Sequence, residues 1–290
     1  MTNPATPQPA ALALPAMLTG SARLAFGPWL VRLADVSPLA SAWWRMLLAA
    51  PLLALLAGLN GQWCGWPGRR LWAMTGLAGA FFAADLAVWH LGIMRTTLAN
   101  ATLLANAATF LLPLYGVVVL GQRLSRPAVA ALLVAALGMA LLLGRSAELS
   151  SQHLLGDLLC LAAAVFYTFY LVVMDKVRGA TPALPSLALA TLAGAMALLP
   201  PMLAAGGTLL PGNWWPILAL AIGSQVIGQG LIIYAVPHLP SLVIGLALLV
   251  QPIISAAMGA WRFGEVPGPL ELAGAGLVVM ALLIARLPAR

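Results

Sequence analysis

A single lysine, Lys176, serves a chain of 290 residues, and only seven residues are acidic. Charged residues make up 7% of the sequence, where a water-soluble domain carries about a quarter. That scarcity excludes a globule clothed in water. No G-x-x-x-x-G-K-[ST] run exists, which excludes direct ATP hydrolysis by this chain. The three histidines lie far apart and no H-E-x-x-H occurs, so no metal site is expected. Two cysteines, Cys64 and Cys160, make no metal or redox spacing, and no disulfide between them is expected. No G-x-S-x-G elbow is present. Neither an enzyme nor a cofactor is therefore expected. The fourteen basic residues give a net charge of +7. They are scattered between apolar runs rather than clustered, which excludes a nucleic-acid partner.

What remains is grease. Apolar residues make up 62% of the chain, and its mean hydropathy is +1.00. A helix needs roughly 20 apolar residues to cross a hydrocarbon core about 30 Å thick. Ten such segments can be marked, at residues 11–32, 38–59, 70–92, 97–120, 127–144, 154–175, 183–204, 214–236, 241–261 and 269–286. The breaks are rich in Gly, Pro, Asn and charge, and too short for an extramembrane domain. Continuous runs exclude a transmembrane barrel, whose strands alternate. Backbone satisfaction in lipid then leaves helices. The fold expected is all-α and polytopic, with ten transmembrane helices in one domain. Residues 1–10 are polar, Pro-rich and free of Lys and Arg. They read as a retained, poorly ordered segment ahead of an uncleaved first helix.

Orientation follows from the loops. With the N-terminus inside, Arg69, Arg70, Arg123, Arg126, Lys176, Arg178, Arg286 and Arg290 fall on the cytoplasmic side. Arg32, Arg95, Arg145 and Arg262 fall on the other. The bias puts both termini in the cytoplasm of a multi-pass, bacterial-type inner membrane protein. Trp43, Trp44, Trp214 and Trp215 read as an interfacial belt.

The chain also looks doubled. TLANATLLANAATFLLPLYGVVVLGQRL, from Thr97, and PSLVIGLALLVQPIISAAMGAWRFGEVP, from Pro240, bring Gly121-Gln122 and Gly264-Glu265 to equivalent places. Each closes a long apolar helix. Residues 11–144 and 154–286 are then two five-helix repeats. An odd number of helices inverts the second in the membrane, a known route to alternating access about a midplane site.

Three passages carry a family likeness: SPLASAWWRMLLAAPLLAL over residues 37–55, Leu120-Gly121-Gln122-Arg123-Leu124, and Gln251-Pro252 followed by Gly264-Glu265. In order and spacing the chain resembles the drug/metabolite transporter superfamily, EamA-type branch, over residues 15–286. The first copy departs from the pattern, with Gln122 where the second has Glu265 and Thr109 where it has Pro252. Among members, the chain is most similar to amino-acid exporters, including the aromatic amino-acid exporter. The resemblance implies a secondary carrier for a small metabolite, with the lipid bilayer as its other partner. A monomer is compatible with this.

Polar groups inside apolar helices are costly and mark function or packing. Phe82, Asp85 and Trp89 are spaced i, i+3, i+7 on one face, with His90 beside it. Arg23 sits deep in the first segment. Two readings stand open for Arg23 and Asp85: a structural salt bridge, or a clamp for the carboxylate and amine of a zwitterion. Proton coupling through Asp85 is a third. Arg45 reads as a snorkelling anchor or packing partner. Thr102, Asn106 and Thr109 form a polar stripe, either helix glue or cavity lining. Gln225, Gln229 and Gln251 offer uncharged hydrogen-bonding groups. Tyr167 and Tyr170, beside Phe166 and Phe169, either stack on a substrate or fill the bundle. Pro113 and Pro252 interrupt helices, as hinges or as fixed kinks. Few charges, several amides and several rings suit a zwitterion with an apolar side chain, such as an aromatic or other apolar amino acid. The alternative is another small metabolite or a cationic drug, with or without proton coupling.

Overall fold

A computed structural model describes residues 12–63, 68–121, 123–149, 151–266 and 268–284. The segment 1–10, Cys64, Gln122, Arg286 and Arg290 lie outside the described residues. Among the described residues every regular element is helical. The first apolar segment forms α1 (Ala13–Leu24) and α2 (Gly27–Leu33), followed by α3 (Pro38–Leu59) and α4 (Arg69–Ile93). The next segment is split into α5 (Leu98–Ala105) and α6 (Ala108–Val118), and α7 (Arg126–Leu149) closes the first half. The second half opens with α8 (Ser151–Arg178) and α9 (Ala183–Ala205). Then come α10 (Trp215–Ala219), a π-helix over Leu220–Gln229, α11 (Gly230–Ala235) and a 3₁₀ turn over Val236–His238. The last described elements are α12 (Ser241–Leu248), α13 (Val250–Phe263) and α14 (Pro269–Ile284).

Local chemistry sets the ends. Ser37 caps α3 by accepting from Ala40 N at 3.3 Å, and Pro38 opens the helix where its missing N–H costs nothing. Thr97 caps α5 by accepting from Asn100 N at 3.2 Å. Gly121 and Gly264, at φ 65° and 66°, stop the helices before them in a left-handed conformation that suits glycine.

Ten spans are expected from the sequence. Among the described residues, seven helical stretches are long and apolar enough to cross a membrane. Of the other three segments, the first is broken at Ala25-Phe26 into helices of 12 and 7 residues, and the described residues of the other two include α14, of 16 residues, and the apolar stretch Arg126–Leu141 of α7. Leu133, Leu137, Leu192, Met196, Leu203 and Leu283 face outward, while the interior is built largely of Ala, Gly and Leu. An apolar outside is what lipid requires.

The hinge expectation meets a more specific geometry. The first split falls at Asn106–Ala107, well before Pro113, which sits inside α6. The second falls at Leu249, next to the position whose carbonyl Pro252 cannot bond. Asn106 and Leu249 lie at the same offset before Gly121 and Gly264. Both have ψ near zero, at 8° and −3°.

Helices meet through bare backbone. A Cβ on Gly79 of α4 would lie 2.4 Å from Ala190 O of α9, and one on Gly194 would lie 2.1 Å from Met46 Cε. Small residues permit such approach where lipid supplies no hydrophobic drive. Gly76, one turn earlier on α4, has nothing within 4 Å. Gly79→Val is therefore expected to cost about 1–3 kcal/mol through overpacking, and Gly76→Ala to be neutral or stabilising. Thermal unfolding of the purified variants in detergent checks the pair.

Candidate functional site

Five elements bring polar side chains to one place in the interior. From α3 comes Arg45, only 1% exposed. Helix α4 contributes Phe82 and Asp85, α8 gives Tyr167 and Tyr170, α9 gives Thr191, and the π-helix gives Gln225 and Gln229, all buried. Arg45 Nε donates to Gln225 Oε1 at 3.1 Å, and Gln225 Nε2 donates to Thr191 Oγ1 at 3.1 Å. Arg45 also lies over the Phe82 ring, 6.0 Å from its centroid. Phe82 stacks on Tyr170 at 4.5 Å, and Tyr167 lies 5.7 Å from Tyr170. Gln229 Nε2 donates to the Tyr167 hydroxyl at 3.4 Å.

Arg45 and Asp85 attract one another across this group. They do not touch as an ion pair, and Arg45 Nη1 has no hydrogen-bond partner. The Tyr170 hydroxyl and Ser224 Oγ are likewise buried without partners. A buried charge with an unfilled donor is costly in a low-dielectric interior. The same atoms are ready to receive a polar ligand.

One turn before Arg45 on α3, Ser41 Oγ donates to Pro38 O at 2.8 Å and lies 2.7 Å from His90 Nδ1. Serine has one proton to give. With that proton on Pro38, Nδ1 is the donor and Nε2 keeps its lone pair, buried and unpartnered. Trp89 packs edge-on against His90 and donates to Ala101 O at 3.1 Å, tying α4 to α5.

The expected cation is corrected. Arg23 is exposed, because α1 buries the face of Met17, Gly20, Ser21 and Leu24 instead. It does not pair with Asp85; Arg45 holds that position. The stripe of Thr102, Asn106 and Thr109 bonds to backbone, through Leu98 O at 2.7 Å, Thr102 O at 2.8 Å and Gly245 O at 2.6 Å respectively. Gln251 is buried on α13, which packs against α5. Sequence reasoning missed Thr191 and Ser224, which carry no special spacing. It also missed Asp157 on α8, which accepts from Thr96 Oγ1 at 2.6 Å and from Asn100 Nδ2 at 3.4 Å. A cleft of about 190 Å³ elsewhere, lined by Gln62, Thr75, Pro182 and Ser186 among others, contains none of the central residues.

The model of the EamA-like transporter family matches residues 154–287. Over those residues the chain is similar to the EamA-like transporter family. EamA members are membrane transporters rather than enzymes, which agrees with the apolar helices of this chain. A solved crystal structure aligns over 97% of this chain and 97% of its own length, at 20% identity and a TM-score of 0.75. It extends the likeness of fold to the half that the EamA model leaves out. No curated protein matches the sequence.

Removing the acceptor of Arg45 tests how tightly this interior is held. Gln225→Leu is expected to destabilise the protein by about 2 kcal/mol, the scale of a lost hydrogen bond to a charged group. Thr191→Val, which leaves Gln225 in place, costs less. Thermal unfolding in one detergent reads both.

Proposed function

We propose that this protein is a secondary carrier that exports small amino acids, or lets them diffuse down their gradient, with aromatic and other apolar ones among them. The single observation behind this reading is the buried Arg45–Asp85 pair, attracted but not joined, beside the rings of Phe82, Tyr167 and Tyr170. A free amino acid carries a carboxylate, an ammonium group and, here, an apolar side chain. The carboxylate suits Arg45, the ammonium suits Asp85, and the rings suit the side chain. Gln225, Gln229 and His90 supply further hydrogen-bonding atoms, and Trp89 a wall. Thr102, Asn106 and Gln251 complete the proposed site from α5 and α13.

In this reading the chain makes ten spans as two inverted five-helix repeats, 11–144 and 154–286, in a bacterial-type inner membrane with both termini cytoplasmic. The matched breaks at Asn106 and Leu249 support the repeat, as does the reciprocal packing of α5 on α13 and α6 on α12. Site and repeats together suit alternating access about a central cavity.

A second reading follows from the position of Arg23. With that side chain exposed, Asp85 is left with Arg45, which attracts it without joining it, and this favours an organic cation or a proton on Asp85. The two readings divide on one experiment: counterflow of labelled phenylalanine, leucine and an organic cation into liposomes holding the purified protein, with and without a pH gradient. Amino-acid counterflow is expected without a pH gradient. Arg45→Gln and Asp85→Asn should each lower it by about 2 kcal/mol of binding, roughly thirtyfold. Arg23→Gln should leave it intact. Cation counterflow alone, or unchanged amino-acid flux in folded Arg45→Gln, overturns the amino-acid reading.

A further inference from the structure

On the face where α2, α4 and α13 end, two charged side chains from opposite halves of the chain meet. Arg32 lies near the end of α2, and Glu265 just beyond α13. Arg32 Nη1 donates to Glu265 Oε1 at 2.5 Å. The other carboxylate oxygen accepts from Leu98 N at 2.9 Å, an N–H of the first turn of α5 that has no helical partner. It also rests against Gly259, where a Cβ would come within 2.5 Å of it. Arg32 is aimed by three further contacts. Its Nε donates to Ile93 O at 3.2 Å, its Nη2 donates to Thr96 O, and its guanidinium lies 4.9 Å from the Phe263 ring centroid.

These contacts divide by what they join. The bonds from Arg32 to Ile93 and Thr96 stay within the first half, so they survive any separation of the halves. The bonds of Glu265 to Arg32 and Leu98 cross between halves and are lost when this face opens. Only interactions that differ between two states move the equilibrium between them.

The end of α8 repeats part of this pattern. Arg178 Nε donates to Ile233 O at 3.2 Å, and its Nη1 donates to Thr181 O. Both acceptors belong to the second half. Among the described residues no carboxylate from the first half reaches Arg178. On the ten-span reading, five crossings separate Arg32 from Arg178, which puts them on opposite faces.

We propose that Arg32 and Glu265 form a charged latch that holds the carrier shut on their face at rest. The opposite face, where among the described residues Arg178 has no such partner, opens more readily. The latch itself is independent of which solute is carried; only its pairing with the opposite face rests on the proposed inverted repeat.

Spin-label distances on a cysteine-free background (Cys64→Ser, Cys160→Ala) test this in nanodiscs. Labels at Met94 and Leu270 report the latch face, and labels at Leu59 and Gly179 the opposite face. Glu265→Gln keeps an acceptor for Leu98 N but removes the charge. It is expected to raise the ratio of long to short Met94–Leu270 distances roughly fivefold, the difference between a charged and a neutral acceptor. The Leu59–Gly179 distances should shorten in step. Arg32→Lys, which keeps charge without the fork, should shift the same way by less. A folded Glu265→Gln whose Met94–Leu270 distances match the parent's overturns the latch, even if its thermal stability falls. Should Glu265→Gln fail to fold, Arg32→Lys is read alone by the same criterion. A shift on the latch face with no response at Leu59–Gly179 upholds the latch and sinks the alternating-access reading.

Discussion

Backbone contact between α4 and α9 is the constraint on which the interior depends. At Gly79 and Gly194 the two helices touch without side chains between them. Because α9 lies so close, Thr191 reaches the amide of Gln225, and that amide in turn holds Arg45. Because α4 lies so close, Phe82 comes under the guanidinium and stacks on Tyr170 of α8. Separate the helices by one methyl group and the chain of contacts loses its first link. The polar centre is thus assembled by residues that have no polarity of their own, which is the usual economy of membrane interiors.

The helical plan was legible because lipid makes it so. A run of about 20 apolar residues bounded by Gly, Pro or charge has few alternatives, and the segment 38–59 coincides with α3 to the residue. Asp85, Phe82, Tyr167, Tyr170, Gln225 and Gln229 were picked out on the same logic, as polar or aromatic groups with nowhere cheap to go. Arg23 and Arg45 show where that logic fails. Both sit inside apolar segments, and sequence alone favours the deeper one. Which of them turns inward depends on the phase of each helix against its neighbours, and that phase is fixed by glycine contacts such as Gly20 with Gly228. Hydropathy carries no trace of it.

Thr102, Asn106 and Thr109 teach a related lesson. Their spacing makes a stripe, yet each spends its donor on a backbone carbonyl. Asn106 does so at the place where α5 gives way to α6. At the matching place in the second half stands Leu249, with no polar side chain to offer and Pro252 close behind. The two interruptions differ in chemistry, one through an amide that serves the loosened turn and one through a missing N–H.

The stretch Leu220–Gln229 winds as a π-helix for ten residues. Such bonds run i→i+5 and are normally confined to a single turn. A coil of this kind advances less along its axis per residue than an α-helix does. Length is therefore stored inside the membrane, between the tryptophans that open α10 and the turn that ends at His238. Rewinding any part of it would lengthen the rod and rotate Gln225 and Gln229 about its axis, so that reach and amide direction are coupled in a single stretch of backbone.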